Sequence, residues 1–247
     1  MLPAIVGHRG ARGEAPENTL SSFERAVIAG VPEIELDVRL SSDDALFVLH
    51  DPDLKRTTGH SGNAHRLPLA GLVAHDARQA IAGWPTPCLI PSLQQVLDSC
   101  PETMRFQLEV KADGKAPLKR IAARLAGMIR EQQLEHRVVV TSGHAGFLEL
   151  MRQEAAEIHR GYVCQYRYRK PIQQSVALEC RWLISHFGLV TPSLMEQARR
   201  HQLGVSVWTV NDLKEAERLV SLGVDSIITD FPTAFLAHFR SRVSRDQ

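Results

Sequence analysis

Glu35, Asp37 and Glu109 carry the strongest chemical signal in this chain. They lie in two runs, Glu33-Ile34-Glu35-Leu36-Asp37-Val38-Arg39-Leu40 and Phe106-Gln107-Leu108-Glu109-Val110-Lys111, where polar and apolar side chains alternate. Successive side chains of a strand point to opposite faces, so Glu35 and Asp37 share a face, as do Glu109 and Lys111. If both strands belong to one sheet with those faces inward, three carboxylates converge. Carboxylates held that close raise one another's pKa and repel unless a cation neutralises them. A hard divalent ion with oxygen ligands resolves the repulsion most simply. Taken singly, such a strand is more often half-solvated antiparallel sheet with its charges in water. The neighbourhood argues otherwise: His8-Arg9-Gly10 precedes the first acidic run, and His50-Asp51 follows it.

Short β-rich runs alternate with amphipathic helical patterns from end to end, which indicates parallel βαβ units. Ala4–Val6 reads as the first strand, and a helix follows from about Asn18, with Leu20, Phe23, Ala26 and Val27 on one face, to Gly30. Glu33–Leu40 is the second strand, with a short extended run at Phe47-Val48-Leu49. From about Asp51 to Thr86 the sequence carries no sustained period, and a loop that long in a compact domain is usually functional. Ser92 and Gln95 have capping-box spacing for the next helix. Further strands read at Arg105–Val110, Val138–Thr141, Ile158–Cys164, Trp182–Ile184, Val205–Val210 and Val224–Ile228. Helices between them begin near Pro117, Gly146, Pro171, Thr191-Pro192 and Asp212, and Pro232 opens the last. Eight βα units at this length predict a (β/α)8 TIM barrel with a long irregular loop after the second strand. An open doubly wound sheet is the alternative, but the phosphate-binding glycine fingerprint expected after its first strand is missing. In a barrel the active site lies at the C-terminal ends of the strands. His8, Arg9, Glu35, Asp37, His50, Glu109, Lys111, Trp208 and Asp230 all fall at that rim.

The 247 residues suffice for one large core, so 1–247 is expected to be a single domain. A net charge of +1 gives no electrostatic footprint for nucleic acid or an anionic membrane. No uncharged apolar run approaches the length of a membrane span, and the N-terminus lacks the basic-then-apolar pattern of a signal peptide. Cys88, Cys100, Cys164 and Cys180 are irregularly spaced, against a zinc site or a disulfide framework. A cytoplasmic protein with reduced thiols is expected; sequence leaves the oligomeric state open.

With these residues in hand, the chain resembles the glycerophosphodiester phosphodiesterase family. The match runs through His8-Arg9-Gly10, Pro16-Glu17-Asn18-Thr19, Glu35-x-Asp37, His50-Asp51-Pro52, Arg56-Thr57-Thr58 and Ile90-Pro91-Ser92-Leu93. It continues in Glu109-x-Lys111, Trp208-Thr209-Val210-Asn211, and Gly223-Val224-Asp225 leading to Thr229-Asp230. The resemblance implies a barrel enzyme that hydrolyses small glycerophosphodiesters to glycerol 3-phosphate and an alcohol. It implies that Glu35, Asp37 and Glu109 hold one divalent cation, Mg2+ or Ca2+. It further implies that His8 and His50 are the acid–base pair and that Arg9 and Lys111 contact phosphate. A glycerol hydroxyl would attack phosphorus to give a cyclic phosphate that water opens, or water would attack directly. A lysophospholipase D-like activity on lipids is the nearest rival, and a non-catalytic phosphodiester-binding barrel a more distant one.

Other readings stay open at this stage. For Arg9 and Lys111 the alternative to phosphate contact is pairing with the rim carboxylates, and Trp208 either fills the core or walls the glycerol carbons. Glu17 and Asn18 divide between helix capping with indirect support and direct contact. Asp51 and Asp230 read as loop and rim organisers, and His144, Arg167 and Arg169 first as solvated loop charges and only then as substrate contacts. The chain departs from the family's usual pattern at Ser142-Gly143-His144, at Asp76-Ala77-Arg78, and at Gln165-Tyr166-Arg167-Tyr168-Arg169. All three fall where the alcohol or glycerol group would be held, so the departures bear on substrate preference.

Overall fold

Nine strands alternate with helices in the computed structural model, which describes residues 2–111 and 117–243. The strands are β1 (Ala4–His8), β2 (Glu33–Leu40), β3 (Leu46–Val48), β4 (Arg105–Val110), β5 (Val138–Ser142), β6 (His159–Cys164), β7 (Trp182–His186), β8 (Gly204–Trp208) and β9 (Ser226–Thr229). The sheet order is β1-β9-β8-β7-β6-β5-β4-β2-β3, and β1 also pairs with β2. That last pairing closes the eight parallel strands into a barrel and rules out the open sheet. β3 lies outside the ring, antiparallel to the end of β2, with Val38 opposite Val48.

The helices are α1 (Leu20–Ala29), α2 (Lys55–Thr58), α3 (Leu69–Leu72), α4 (Leu93–Ser99), α5 (Leu118–Glu131), α6 (Ala145–Glu154), α7 (Pro171–Ala177), α8 (Pro192–Arg200), α9 (Leu213–Leu222) and α10 (Pro232–Val243). Their ends follow local chemistry. Thr19, Thr191 and Asp212 accept from backbone N–H groups in the first turns of α1, α8 and α9, and Ser92 forms the capping box with Gln95. Each such cap is worth about 1 kcal/mol. Gly30, at φ 85°, ends α1 in the left-handed conformation that glycine adopts most readily. Among the described residues no helix is long and apolar enough to cross a membrane.

Alternation along the strands sorts the chain into two environments. The outward set of β2 (Ile34, Leu36, Val38, Leu40) joins Phe106, Leu108 and Val110 of β4 in the large core beneath the helices. The inward set is Glu33, Glu35, Asp37 and Arg39. These charges are not half-solvated: Glu35 is 4% exposed and Asp37 1%. The reading of a wet antiparallel face therefore fails, because closure of the ring buries both faces of every strand.

The segment after β2 differs from the irregular loop expected there. It holds α2, α3 and two 3-10 turns, Ala64–Arg66 and Arg78–Ala80. Leu54, Ala64, Leu72 and Ala77 pack with Phe47, Leu49 and Ile90 into a small core of their own. Strand bounds also shift: β1 runs on to His8, β7 to His186, and β8 stops at Trp208 rather than Val210. Ladder pairing sets these limits, which hydrophobic pattern alone does not reveal.

Candidate active site

Register builds the site. β1 and β4 flank β2, with His8 paired to Glu35 and Asp37 paired to Glu109. Residues paired in parallel strands point the same way, so four inward side chains occupy two adjacent rungs of the barrel mouth. One carboxylate oxygen from each of Glu35, Asp37 and Glu109 lies within 4.8 Å of the others. Glu35 Oε1 is buried with no hydrogen-bond donor directed at it. An all-oxygen set with a buried, orphaned acceptor fits a hard divalent cation.

Neighbouring cations and dipoles hold the carboxylates. Lys111 Nζ lies 2.7 Å from Glu109 Oε1 and 3.1 Å from Asp37 Oδ1. Arg9 Nε lies 3.2 Å from Asp37 Oδ2, and Asn18 Nδ2 donates to the same oxygen at 2.7 Å. Burial would raise the Asp37 pKa, but Lys111 and Arg9 outweigh it and hold the carboxyl well below its ordinary range. Glu35 goes the other way: burial, then repulsion from Asp37 and Glu109, pushes it well above the usual value. Burial also works against charge on Lys111, yet Asp37 and Glu109 keep it an ammonium. Arg9 and Lys111 are thus carboxylate partners in this structure, while both still line the cavity.

Each histidine is oriented by an aspartate. His8 Nδ1 bonds Asp230 Oδ1 at 2.5 Å, and its Nε2 lies 3.9 Å from Glu35 Oε2. Asp230 is fixed by Asn211, whose Nδ2 donates to Oδ2 at 2.7 Å and whose Oδ1 accepts from the Asp230 N–H at 3.0 Å. His50 Nδ1 bonds Asp51 Oδ1 at 2.6 Å, and Arg56 Nε donates to the other Asp51 oxygen at 2.5 Å. Both imidazoles sit below their ordinary pKa, chiefly because of burial, with the aspartates opposing. Each aspartate engages Nδ1, so Nε2 is the ring nitrogen turned away from it.

Glu17 joins the two halves. Its carboxylate accepts from Arg9 Nη1 at 2.6 Å, from Arg56 Nη1 and Nη2 at 2.8 Å each, and from Arg12 Nε at 3.1 Å. Glu17 therefore caps no helix; it ties the β1 turn to the His50 segment. That turn needs glycine at position 10, where φ is 86° and an added Cβ would stand 2.5 Å from Ser22 Oγ.

The cavity above these groups measures about 390 Å3. Its far wall is apolar, from Val163, Ile184, Trp208 and Ile228. Trp208 is pinned by its Nε1 donating to the Ile184 carbonyl at 3.1 Å, so it both packs inward and faces the cavity. Tyr166 and Arg169 are also part of the lining, which places Arg169 on the cavity and, of the two alternatives, favours contact over solvation alone. His144 is not part of it: its Nδ1 accepts from Phe147 N–H and caps α6. Asp230 organises the rim, as the sequence suggested, while the part of Asn211 in holding it went unread. Their signal was present, an acid directly after the last strand and an amide after the one before it, but which histidine they serve depends on ring closure.

The Glycerophosphoryl diester phosphodiesterase family matches residues 8–234. A glycerophosphodiester phosphodiesterase of Bacillus altitudinis is 31% identical over 94% of this chain and 96% of its own. One from Caldanaerobacter subterraneus subsp. tengcongensis is 29% identical over 96% and 97%. Among solved structures, an Oleispira antarctica phosphodiesterase in complex with the product sn-glycerol-3-phosphate superposes with a TM-score of 0.89, at 27% identity and over 97% of each chain. Motif order, closed barrel and relatives agree: the chain belongs to the glycerophosphoryl diester phosphodiesterase family.

Proposed function

We propose that His8 and His50 are the proton-transfer pair of this phosphodiesterase, acting beside one divalent cation, Mg2+ or Ca2+, held by Glu35, Asp37 and Glu109. The protein is a hydrolase that converts glycerophosphodiesters to glycerol 3-phosphate and an alcohol. The observation that carries the assignment of roles is the pair of His–Asp contacts on the same cavity as the carboxylate cluster. When bound, the cation offsets the charge of the diester and polarises a phosphoryl oxygen.

The remaining work belongs to side chains. Asp230 and Asp51 engage Nδ1 of His8 and His50 in either protonation state, leaving each Nε2 to take or give a proton. One imidazole takes the proton of the attacking hydroxyl as the new P–O bond forms. The other, protonated, gives its proton to the departing alkoxide as the old P–O bond breaks. Arg9 and Lys111 add positive charge on the phosphate side of the cavity, and Trp208 gives the glycerol carbons an apolar wall. We take residues 1–247 as one catalytic barrel, in keeping with a sheet that is continuous from Ala4 to Thr229. A cytoplasmic setting agrees with the four unpaired cysteines.

The test is release of glycerol 3-phosphate from glycerophosphoglycerol by the wild type, His8→Ala and His50→Ala, with Mg2+, with Ca2+ and with EDTA. Loss of turnover in both variants and in EDTA is expected. Equal turnover by either variant removes that histidine from the mechanism.

A further inference from the structure

The wall of the cavity built by the chain after β6 has a charge the hydrolytic reaction does not use. Gln165 to Lys170 follow β6 directly, and β6 stands four strands round the ring from β1. The carboxylate cluster and both histidines occupy the β1–β2–β4 side, so an ester group directed across the cavity from a phosphate held there would meet this segment. The carboxylates among the residues lining the cavity are Glu35 and Glu109, both in the cluster. Arg9 and Lys111, the other lining cations, are ion-paired. Arg169 is different: among the described residues it pairs with no carboxylate, and neither do its neighbours Arg167 and Lys170.

An exposed arginine is usually only solvated. This one stands on the cavity wall beside tyrosines. Tyr168 and Tyr162 raise its pKa, and Tyr162 is a buried residue of β6. Tyr166, which lines the same wall, stacks on Tyr168 with ring centroids 5.5 Å apart and 16° between planes. The wall thus presents a guanidinium next to a stacked aromatic pair. A choline or ethanolamine group lodged there would meet a cation and no carboxylate, whereas an oxyanion would meet a planar donor fork.

We propose that Arg169, on the cavity wall without a carboxylate partner, selects glycerophosphodiesters whose alcohol bears an anionic group of its own, a second phosphate or a carboxylate. The inference rests on the hydrolase reading and narrows it to a substrate class. Arg169 is a specificity residue; the bond-breaking machinery lies across the cavity.

The experiment compares kcat/KM for four diesters with the cation-loaded enzyme: bis(glycerophospho)glycerol, glycerophosphoserine, glycerophosphoglycerol and glycerophosphocholine. The first two separate phosphate from carboxylate as the recognised anion. The wild type is expected to favour at least one of them over glycerophosphocholine by roughly tenfold or more, the scale of one charge-assisted hydrogen bond. Arg169→Glu is expected to lower that ratio by roughly a hundredfold, and Arg169→Gln by about tenfold. A wild-type preference for glycerophosphocholine overturns the proposal. So does a ratio unchanged in both variants, including the case where all four substrates slow equally, since Arg169 would then be serving the shared phosphate. Failure to cleave even glycerophosphoglycerol would instead refute the hydrolase reading. Should Arg169→Glu not fold, Arg169→Gln carries the same ratio.

Discussion

Glu17 offers a sharp test of how the site is held together, because one carboxylate receives three guanidinium groups in a nearly water-free position. Burial acts to raise its pKa, and the hydrogen bonds and charges of Arg56 and Arg9 overcome this, bringing it down to about 2 from 4.5. A drop of roughly 2.5 units at about 1.4 kcal/mol each corresponds to about 3 kcal/mol of folding stability at neutral pH. The sign follows from the depressed value: the contribution is complete above the unfolded pKa and is lost as pH falls through the folded one. Less than half should remain near about pH 3. Glu17→Gln keeps the volume and removes the charge, leaving Arg9 buried beside Asp37 with a weaker partner. Urea unfolding of wild type and variant, repeated from neutral pH downward, measures the difference. We expect about 3 kcal/mol at pH 7, narrowing steadily on the acid side. A gap under about 1 kcal/mol at pH 7, or one that stays constant as pH falls, would refute the reasoning.

Asp230→Asn removes the acceptor that fixes the His8 tautomer and should lower kcat by roughly a hundredfold with folding intact, read by steady-state kinetics beside circular dichroism. Asn211→Ala should act in the same direction and less strongly, through Asp230. Glu35→Gln relieves carboxylate repulsion, so its melting temperature without divalent ions should exceed that of the wild type, while the rise on adding Mg2+ or Ca2+ disappears. A retained metal-dependent rise would exclude Glu35 from the cation set. Gly10→Ala combines a left-handed φ with a Cβ 2.5 Å from Ser22 Oγ and should cost about 2 kcal/mol or more in thermal or urea unfolding.

The legible part of this protein is the part governed by alternation and by local caps. Period two in Glu33–Leu40 and Arg105–Val110 located both acidic strands to the residue, and Ser92 and Thr191 announced their helices. Charged side chains at i and i+2 gave the shared face of Glu35 and Asp37 without any structure. What escaped depends on contacts between distant segments. His8 and Asp230 are separated by nearly the whole chain and meet only because β1 pairs with β9. The Asp51–Thr86 segment looked structureless because its small core is assembled from single apolar residues at irregular spacing.

Register also explains why a barrel can keep three carboxylates together before any cation arrives. Asp37 and Glu109 are locked side by side by the β2–β4 ladder, and no side-chain rotation can separate their backbones. The repulsion this stores is offset by Lys111 and Arg9 on one side and shows on the other as the raised pKa of Glu35. Those cations are in turn anchored, Arg9 by Glu17 and Glu17 by Arg56, whose remaining bond reaches Asp51 and hence His50. The site is therefore one electrostatic chain running from the carboxylate cluster to the solvent-facing imidazole. Neutralising a middle link, Glu17, should disturb both ends at once, whereas a change at Trp208 or Arg169, outside the chain, should leave cation affinity where it was.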